Sequence, residues 1–275
     1  MKIGFIGFGK MAQAIWLGIV ASKLLTSKDA FFYDVNKENT DFVKSKFKLS
    51  TLEIMPMIDR CDYVFVCVKP QNIADLIEQI RHSDSLNNTC FVSILAGIPI
   101  STFKNGLGAI DIIRIMPNTP AMVNEGMSVL CTEHLVHPEK SKFIETVFES
   151  FGKVEVLPEE LIDIVTAISG SGPAYFYKIC QDIVEMGIKK GLNKPTAIRL
   201  AAQTMKGAAE MLLSGNLANP NEPADPIQLI NQVTSPGGTT LAGLNAYTNA
   251  NTSSGIQKTI EGAYDRSIEL KTKGT

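Results

Sequence analysis

The stretch Ile3-Gly4-Phe5-Ile6-Gly7-Phe8-Gly9-Lys10-Met11-Ala12 decides the fold. Ile3–Ile6 is short, apolar and closed by a glycine, which reads as a buried strand. Met11–Ser22 follows with Met11, Ile15 and Ile19 at helical spacing, and Phe31–Asp34 returns as a second strand, so the three segments form a βαβ unit. The turn between the first strand and the helix spells G-x-G-x-x-A. Gly7 permits the tight turn, Gly9 lets the backbone approach a pyrophosphate, and Ala12 is small enough for helix and strand to pack closely. Phosphates would lie on the free N–H groups at the positive end of that helix.

The second strand ends in Asp34, 22 positions after Ala12, where dinucleotide folds often carry an acid that accepts hydrogen bonds from the adenosine ribose. An acid there opposes a 2′-phosphate and favours NAD over NADP, whereas Asn36 and Lys37 beside it offer such a phosphate a donor and a positive charge. A plain capping Asp in a turn is the other reading.

Further strands at Tyr63–Val68, Phe91–Leu95, Ile112–Met116 and Ser128–Cys131 alternate with segments of helical period as far as about Leu157. That alternation predicts an α/β domain with a mainly parallel sheet. Ligands of such sheets bind beyond the carboxyl ends of the strands, so Lys69-Pro70 after one strand and Ala96-Gly97 after the next can wall the same crevice, with Lys69 also readable as a solvated surface lysine.

After Leu157 the β-rich runs stop and helices take over. Ala174–Lys190 carries Ile179, Ile183 and Met186 on one face, Pro195 opens a second helix that stops at Gly215, and two more follow at Thr239–Asn249 and Ser253–Lys271. The chain is thus expected to form two domains, a dinucleotide-binding one over 1–157 and an all-α one over 158–275. A helical domain of this size is expected to bury its apolar stripe against a second copy, as a homodimer or higher homo-oligomer. Two segments rich in small residues and hydroxyls, Ser169-Gly170-Ser171-Gly172-Pro173-Ala174 and Ser235-Pro236-Gly237-Gly238-Thr239-Thr240, lead into helices. Free N–H groups there can hold a carboxylate or phosphate, and each segment also reads as an ordinary helix-entry loop.

The composition narrows the class. Of 275 residues 45% are hydrophobic, and 26 Lys+Arg against 28 Asp+Glu leave a net charge of -2, which argues against a general nucleic-acid binder or an anionic-membrane binder. Five cysteines without a C-x-x-C pair, all but Cys61 inside apolar runs, point to reduced, cytoplasmic usage.

Across essentially the whole chain, Ile3–Met11, Val68-Lys69-Pro70, Arg114-Ile115-Met116-Pro117-Asn118-Thr119-Pro120, Ser169–Tyr175 and Val233–Thr240 resemble the pyrroline-5-carboxylate reductase family. The resemblance implies a Rossmann-type N-terminal domain and an all-helical C-terminal dimerisation domain that interlocks with its partner's. It implies reduction of L-1-pyrroline-5-carboxylate to L-proline by NADPH or NADH. Carried over by position, Ile6, Gly7, Phe8, Gly9, Lys10 and Met11 would hold the pyrophosphate, and Asp34 and Asn36 would lie at the adenosine ribose. Val68, Lys69 and Pro70 would border the nicotinamide half, with Leu95 and Ala96 as further cofactor contacts. Ser235, Gly238 and Thr239 would bind the substrate carboxylate, and Thr240 would hydrogen-bond the ring nitrogen as the catalytic residue. Glu159, or Glu160 next to it, matches an acidic position of the substrate region. The chain departs from the pattern at Asp34, where NADPH-preferring members carry a small polar residue, and this leans the expectation to NADH.

The residue inventory agrees with imine chemistry. A ketone substrate needs a strong acid, and His82, His134 and His137 read as surface residues without a metal partner or an orienting acid, so no metal is expected. A cyclic imine arrives protonated and already electrophilic, and a hydroxyl such as that of Thr240 suffices. Two alternatives remain open at this level. A hydroxy-acid reductase would need a helical lysine, for which Lys178 and Lys206 are the candidates. A nicotinamide-sensing protein would bind the cofactor without turnover.

Overall fold

In a computed structural model of the chain, the structure describes residues 1–132, 136–215 and 222–273. His134 lies outside them. The elements run β1 (Ile3–Ile6), α1 (Lys10–Ala21), β2 (Ala30–Tyr33), α2 (Lys37–Phe47), β3 (Ser50–Thr51), α3 (Ile54–Arg60), β4 (Tyr63–Val66), α4 (Ile73–Ile80), β5 (Cys90–Ser93), α5 (Ile100–Leu107) and β6 (Asp111–Met116). They continue as β7 (Gly126–Thr132), α6 (Pro138–Glu149), β8 (Gly152–Val156), α7 (Ile162–Val165), α8 (Gly172–Lys189), α9 (Lys194–Leu213), α10 (Pro226–Gln232), α11 (Thr239–Asn249) and α12 (Thr252–Lys273). The chain divides into two compact units, Met1–Pro173 with Glu261–Thr275, and Ala174–Ile260.

The first unit holds one sheet of eight strands in the order β3-β2-β1-β4-β5-β6-β7-β8. Strands β1 to β6 pair in parallel, as the sequence pattern predicts, and β7 runs antiparallel to β6. The reversal has a simple cause. Only residues 117–125 join β6 to β7, with a 3-10 turn at Thr119–Val123, and a parallel crossover needs a longer connection. Two strands are not evident from the sequence pattern: β3, with two residues, and β8, which pairs in parallel with β7 at the edge of the sheet.

Side chains of the central strands alternate between two buried layers. Phe5, Phe65, Val92 and Ile113 join Trp16, Ile19 and Phe148 of α1 and α6 on one face. Ile6, Val64, Phe91 and Ile112 join Met57, Leu76 and Phe103 of α3, α4 and α5 on the other. Burial on both faces explains why these strands read as apolar runs and not as alternating patterns. Burial also pushes the thiols of Cys61 and Cys90 up to about 12, so they stay protonated at neutral pH as small hydrophobes.

One expectation needs correction. Ser169-Gly170 belongs to no entry loop: Thr166–Gly170 forms a π-helical turn that runs from α7 toward α8, and α8 already begins at Gly172. The Ser171 N–H donates to the Thr166 carbonyl at 2.8 Å, so this amide is spent inside the helical run and is not free for an anion. Helix α10, in the second unit, was likewise not foreseen from the sequence. No helix of the described residues is long and apolar enough to cross a membrane.

Candidate active site

The first half of the site is the turn between β1 and α1. Gly7 adopts φ +84°, and a Cβ there would stand 2.8 Å from the Cys67 carbonyl oxygen and 3.1 Å from the Val68 nitrogen. Only glycine lets this turn lie against the segment leaving β4. Phe8 turns its ring into the core beside Phe5 and Phe32, leaving only its backbone at the turn. Gly9 is the N-cap of α1, with no side-chain cap and no acidic residue in the first helical turn. A Cβ on Gly9 would meet nothing within 4 Å, so space stands open over unpartnered helix N–H groups. Ala12 is fully buried against the sheet, which is the close packing that the motif requires.

Asp34 stands just beyond the end of β2 and is drawn into the same turn. Its Oδ2 accepts from the Phe8 N–H at 2.9 Å and from Asn39 Nδ2 at 2.7 Å, while Oδ1 accepts from the Asn36 N–H at 2.8 Å. Asn39 Nδ2 also donates to the Phe8 carbonyl at 3.0 Å, and Asn36 Oδ1 caps α2 by accepting from the Asn39 N–H. Asn39 was not foreseen from the sequence; its signal was the Asn36-x-x-Asn39 spacing at a helix start. Together with Gly9, Lys10 and Phe42, these side chains line an open hollow of about 510 Å³. The uncapped helix, the open space at Gly9 and an acid with spare lone pairs on Oδ1 fit the phosphates and ribose of a dinucleotide.

Loops from β4 and β5 flank the turn on its other side. Val68 is packed on the buried layer below, Lys69 is exposed, and Pro70 opens a short 3-10 turn. Burial pushes the Cys67 thiol up, so it adds no charge beside the site. After β5, Leu95 is buried and Ala96 packs against the cluster formed by Met116, Val129, Cys131 and Ile162. Glu159 is also engaged within this unit. Its Oε1 accepts from Arg114 Nη1 at 2.8 Å and from the Ile100 N–H at 2.8 Å. Glu160 is exposed. Arg114 is 1% exposed, and an arginine inside the apolar run Ile112–Met116 was the sequence signal for a buried acidic partner.

In the second unit, Ser235-Pro236-Gly237-Gly238 closes a turn in which the Gly238 N–H donates to the Ser235 carbonyl at 3.0 Å. Gly237 takes φ +72°, and Pro236 before it pre-sets the preceding angle. A Cβ on Gly238 would stand 2.5 Å from Ser235 Oγ, so glycine keeps the hydroxyl folded against the turn. Gly238 is the N-cap of α11, which has no side-chain cap and no acid in its first turn. Ser235, Thr239 and Thr240 are exposed there. The arrangement presents backbone donors and three hydroxyls, which can hold a carboxylate and place one hydroxyl beside a neighbouring atom.

The remaining sequence candidates lie on surfaces. Lys178 pairs with Asp182 one turn along α8 at 2.5 Å, and this bond raises its pKa. Lys206 is exposed on α9. His82 accepts from Arg81 Nε, and His137 caps α6 by accepting from the Glu139 N–H. No group of three or more His, Cys, Asp or Glu among the described residues could hold a metal ion.

Known proteins match this arrangement along its length. Residues 159–270 match the family model described as pyrroline-5-carboxylate reductase dimerisation, and residues 2–97 match that of NADP oxidoreductase, coenzyme F420-dependent. A pyrroline-5-carboxylate reductase of Staphylococcus saprophyticus is 34% identical over 278 residues, covering 99% of each chain. One from Synechocystis is 31% identical over 274 residues, again covering 99% of each. The crystal structure of Plasmodium falciparum pyrroline carboxylate reductase with NADP bound is 29% identical with a TM-score of 0.85, covering 98% of each chain. Similar over its whole length to these reductases in sequence and in fold, the chain belongs to the pyrroline-5-carboxylate reductase family.

Proposed function

We propose that this chain reduces the cyclic imine L-1-pyrroline-5-carboxylate to L-proline with NADH or NADPH, the last step of proline biosynthesis. The observation that carries the reading is the uncapped start of α11 behind the Ser235–Gly238 turn, in a chain similar over its whole length to reductases of that name.

When bound, the nicotinamide supplies the hydride. Ile6, Gly7, Phe8, Gly9, Lys10 and Met11 hold the pyrophosphate through the turn and the first N–H groups of α1. Asp34 and Asn36 meet the adenosine ribose. Val68, Lys69, Pro70, Leu95 and Ala96 border the nicotinamide half, because the β4 and β5 loops lie on the opposite side of β1 from β2. Ser235, Gly238 and Thr239 bind the substrate carboxylate by charge-assisted hydrogen bonds, and the Thr240 hydroxyl orients the ring nitrogen and accepts or relays its proton. The active form is a homodimer or a larger homo-oligomer. Phe176, Tyr177, Ile183, Met186 and Leu200 are exposed on the helical unit and await a cover of this kind, and the dimerisation family model spans them.

Asp34 leans the cofactor choice to NADH. Its Oδ1 carries one internal bond and retains a lone pair for a ribose hydroxyl, and its charge opposes a 2′-phosphate. In Asp34→Ser the ratio of kcat/KM for NADPH to that for NADH rises, by about tenfold for each 1.4 kcal/mol of relieved repulsion. An unchanged ratio would mean that the carboxylate serves only the turn.

The reading is tested by following the loss of reduced-nicotinamide absorbance when pyrroline-5-carboxylate is added to the purified protein, with NADH and NADPH side by side. Rapid oxidation with proline as product supports it. Tight cofactor binding without oxidation sinks it.

A further inference from the structure

Both hydrogens of the Asn39 amide are spent on the glycine turn and on the acid beside it. Nδ2 donates to the Phe8 carbonyl at 3.0 Å and to Asp34 Oδ2 at 2.7 Å. Each partner is an acceptor, so the amide nitrogen must be the atom that meets them. The place of Asn39 is set by its own segment. Asp34 Oδ1 accepts from the Asn36 N–H at 2.8 Å, Asn36 Oδ1 accepts from the Asn39 N–H at 3.1 Å, and the Thr40 hydroxyl donates to the Asn36 carbonyl at 3.0 Å. The run Asp34-Val35-Asn36-Lys37-Glu38-Asn39 thus makes a turn, caps α2 and returns the third residue of that helix to the β1–α1 turn.

The consequence falls on Asp34. Each oxygen of a carboxylate has about two lone pairs to offer. On Oδ2 both are taken, by the Phe8 N–H and by Asn39, and on Oδ1 the Asn36 N–H takes one. An acid that could otherwise embrace both hydroxyls of a ribose is left with one free acceptor in a fixed direction. Fixation is what discriminates. A carboxylate free to rotate about its last torsion turns aside from a 2′-phosphate, whereas a clamped one holds its charge where that phosphate would enter.

We infer that Asn39 is a specificity-determining residue of the cofactor site: it clamps Asp34 Oδ2 against the glycine turn, so that the free side of Oδ1 selects the dinucleotide with an unmodified ribose. It acts through Asp34, as a positioning residue. The inference rests on the dinucleotide reading of the first unit and on the lean to NADH proposed above, and it names the residue that enforces that lean.

The test uses Asn39→Leu, which keeps the bulk and removes both donors, and Asn39→Ala, which removes the bulk as well. Neither change orphans a partner. The Phe8 carbonyl also accepts from Gln13 Nε2 at 3.4 Å, Asp34 Oδ2 keeps the Phe8 N–H, and the α2 cap uses the backbone N–H of residue 39. Both variants are therefore expected to fold, with melting temperatures close to that of the wild type. The Kd of NADH and that of NADPH are read by nicotinamide fluorescence on the full chain, in these variants and again with Asp34→Ser added. The expected result is an NADH Kd raised about tenfold in both single variants, the loss of one hydrogen bond to a charged group, with the NADPH Kd unchanged or lower. On Asp34→Ser the same substitutions leave the ratio of the two Kd values where it stands, because no carboxylate remains to be clamped. Equal weakening of NADH and NADPH overturns the inference in favour of a brace for the turn. Unchanged Kd values, whatever the melting temperature does, overturn it in favour of a purely structural contact. A tenfold loss of NADH affinity that persists on Asp34→Ser overturns it in favour of direct contact between Asn39 and the cofactor. Wild-type protein that binds neither nucleotide would instead sink the dinucleotide reading, and the inference with it. The Kd values need no turnover, so they judge Asn39 whether or not the imine is reduced.

Discussion

Thr240→Ala is expected to lower turnover by roughly one to three decades while leaving the Kd of NADH and NADPH unchanged. Thr240 is the second residue of α11, exposed, in a helix start that no side chain caps. On the proposed function, loss of that hydroxyl removes the single group that meets the ring nitrogen, and removal of one donor to a developing charge costs this much in comparable sites. Among the described residues the hydroxyl makes no hydrogen bond, so the melting temperature should hold. Thr240→Ser restores the hydroxyl and should recover most of the rate. Weakened cofactor binding with normal turnover would remove Thr240 from the chemistry.

The second large effect is expected at the glycine turn. Alanine at position 7 would have to adopt φ +84°, which costs a non-glycine residue about 1–2 kcal/mol, and its Cβ would press on the backbone of Cys67 and Val68. Backbone atoms on both sides of the contact leave no flexible group to give way, so the turn and the β4 segment must separate. We expect the affinity for both cofactors to fall by about two decades, the scale of a misplacement near 1 Å, and the melting temperature to drop by roughly 2–4 °C per kcal/mol. Gly9→Ala is the contrast. A Cβ there meets nothing in the protein, so stability should hold while affinity falls, because the methyl enters the space meant for the ligand. Unchanged affinity in both variants, read by fluorescence titration, would show that this turn does not cradle a phosphate.

How much of this was legible depended on how far apart the interacting residues are in the chain. Ile3–Ile6, Tyr63–Val66 and Cys90–Ser93 are buried on both faces and therefore announce themselves as apolar runs. Gly152-Lys153-Val154-Glu155-Val156 lies at the sheet edge, where alternate residues face water, and its charges hid it. The glycines and serines of 169–172 suggested a loop because these residues favour one locally, yet Ser169 and Gly170 lie in a π-helical turn and Gly172 opens α8. The glycine turn and the Ser235–Thr240 segment were readable since all their chemistry lies within a few residues. The fate of Glu159 was not, because its partners lie 45 and 59 positions away and only the fold brings them to it.

The return of the later part of α12 to the first unit bears on the order in which the protein folds as it is made. Ser267 donates to the buried Asp163 at 2.7 Å, and Leu270 closes on Gly97, so the first unit is unfinished until these residues of α12 leave the ribosome. At roughly 5–20 residues per second, synthesis of the intervening Ala174–Ile260 takes several seconds. Throughout that interval the nascent sheet waits with Asp163 and the Gly97 loop uncovered. Helix α12 is therefore the element that converts a half-shielded nascent sheet into a finished first unit.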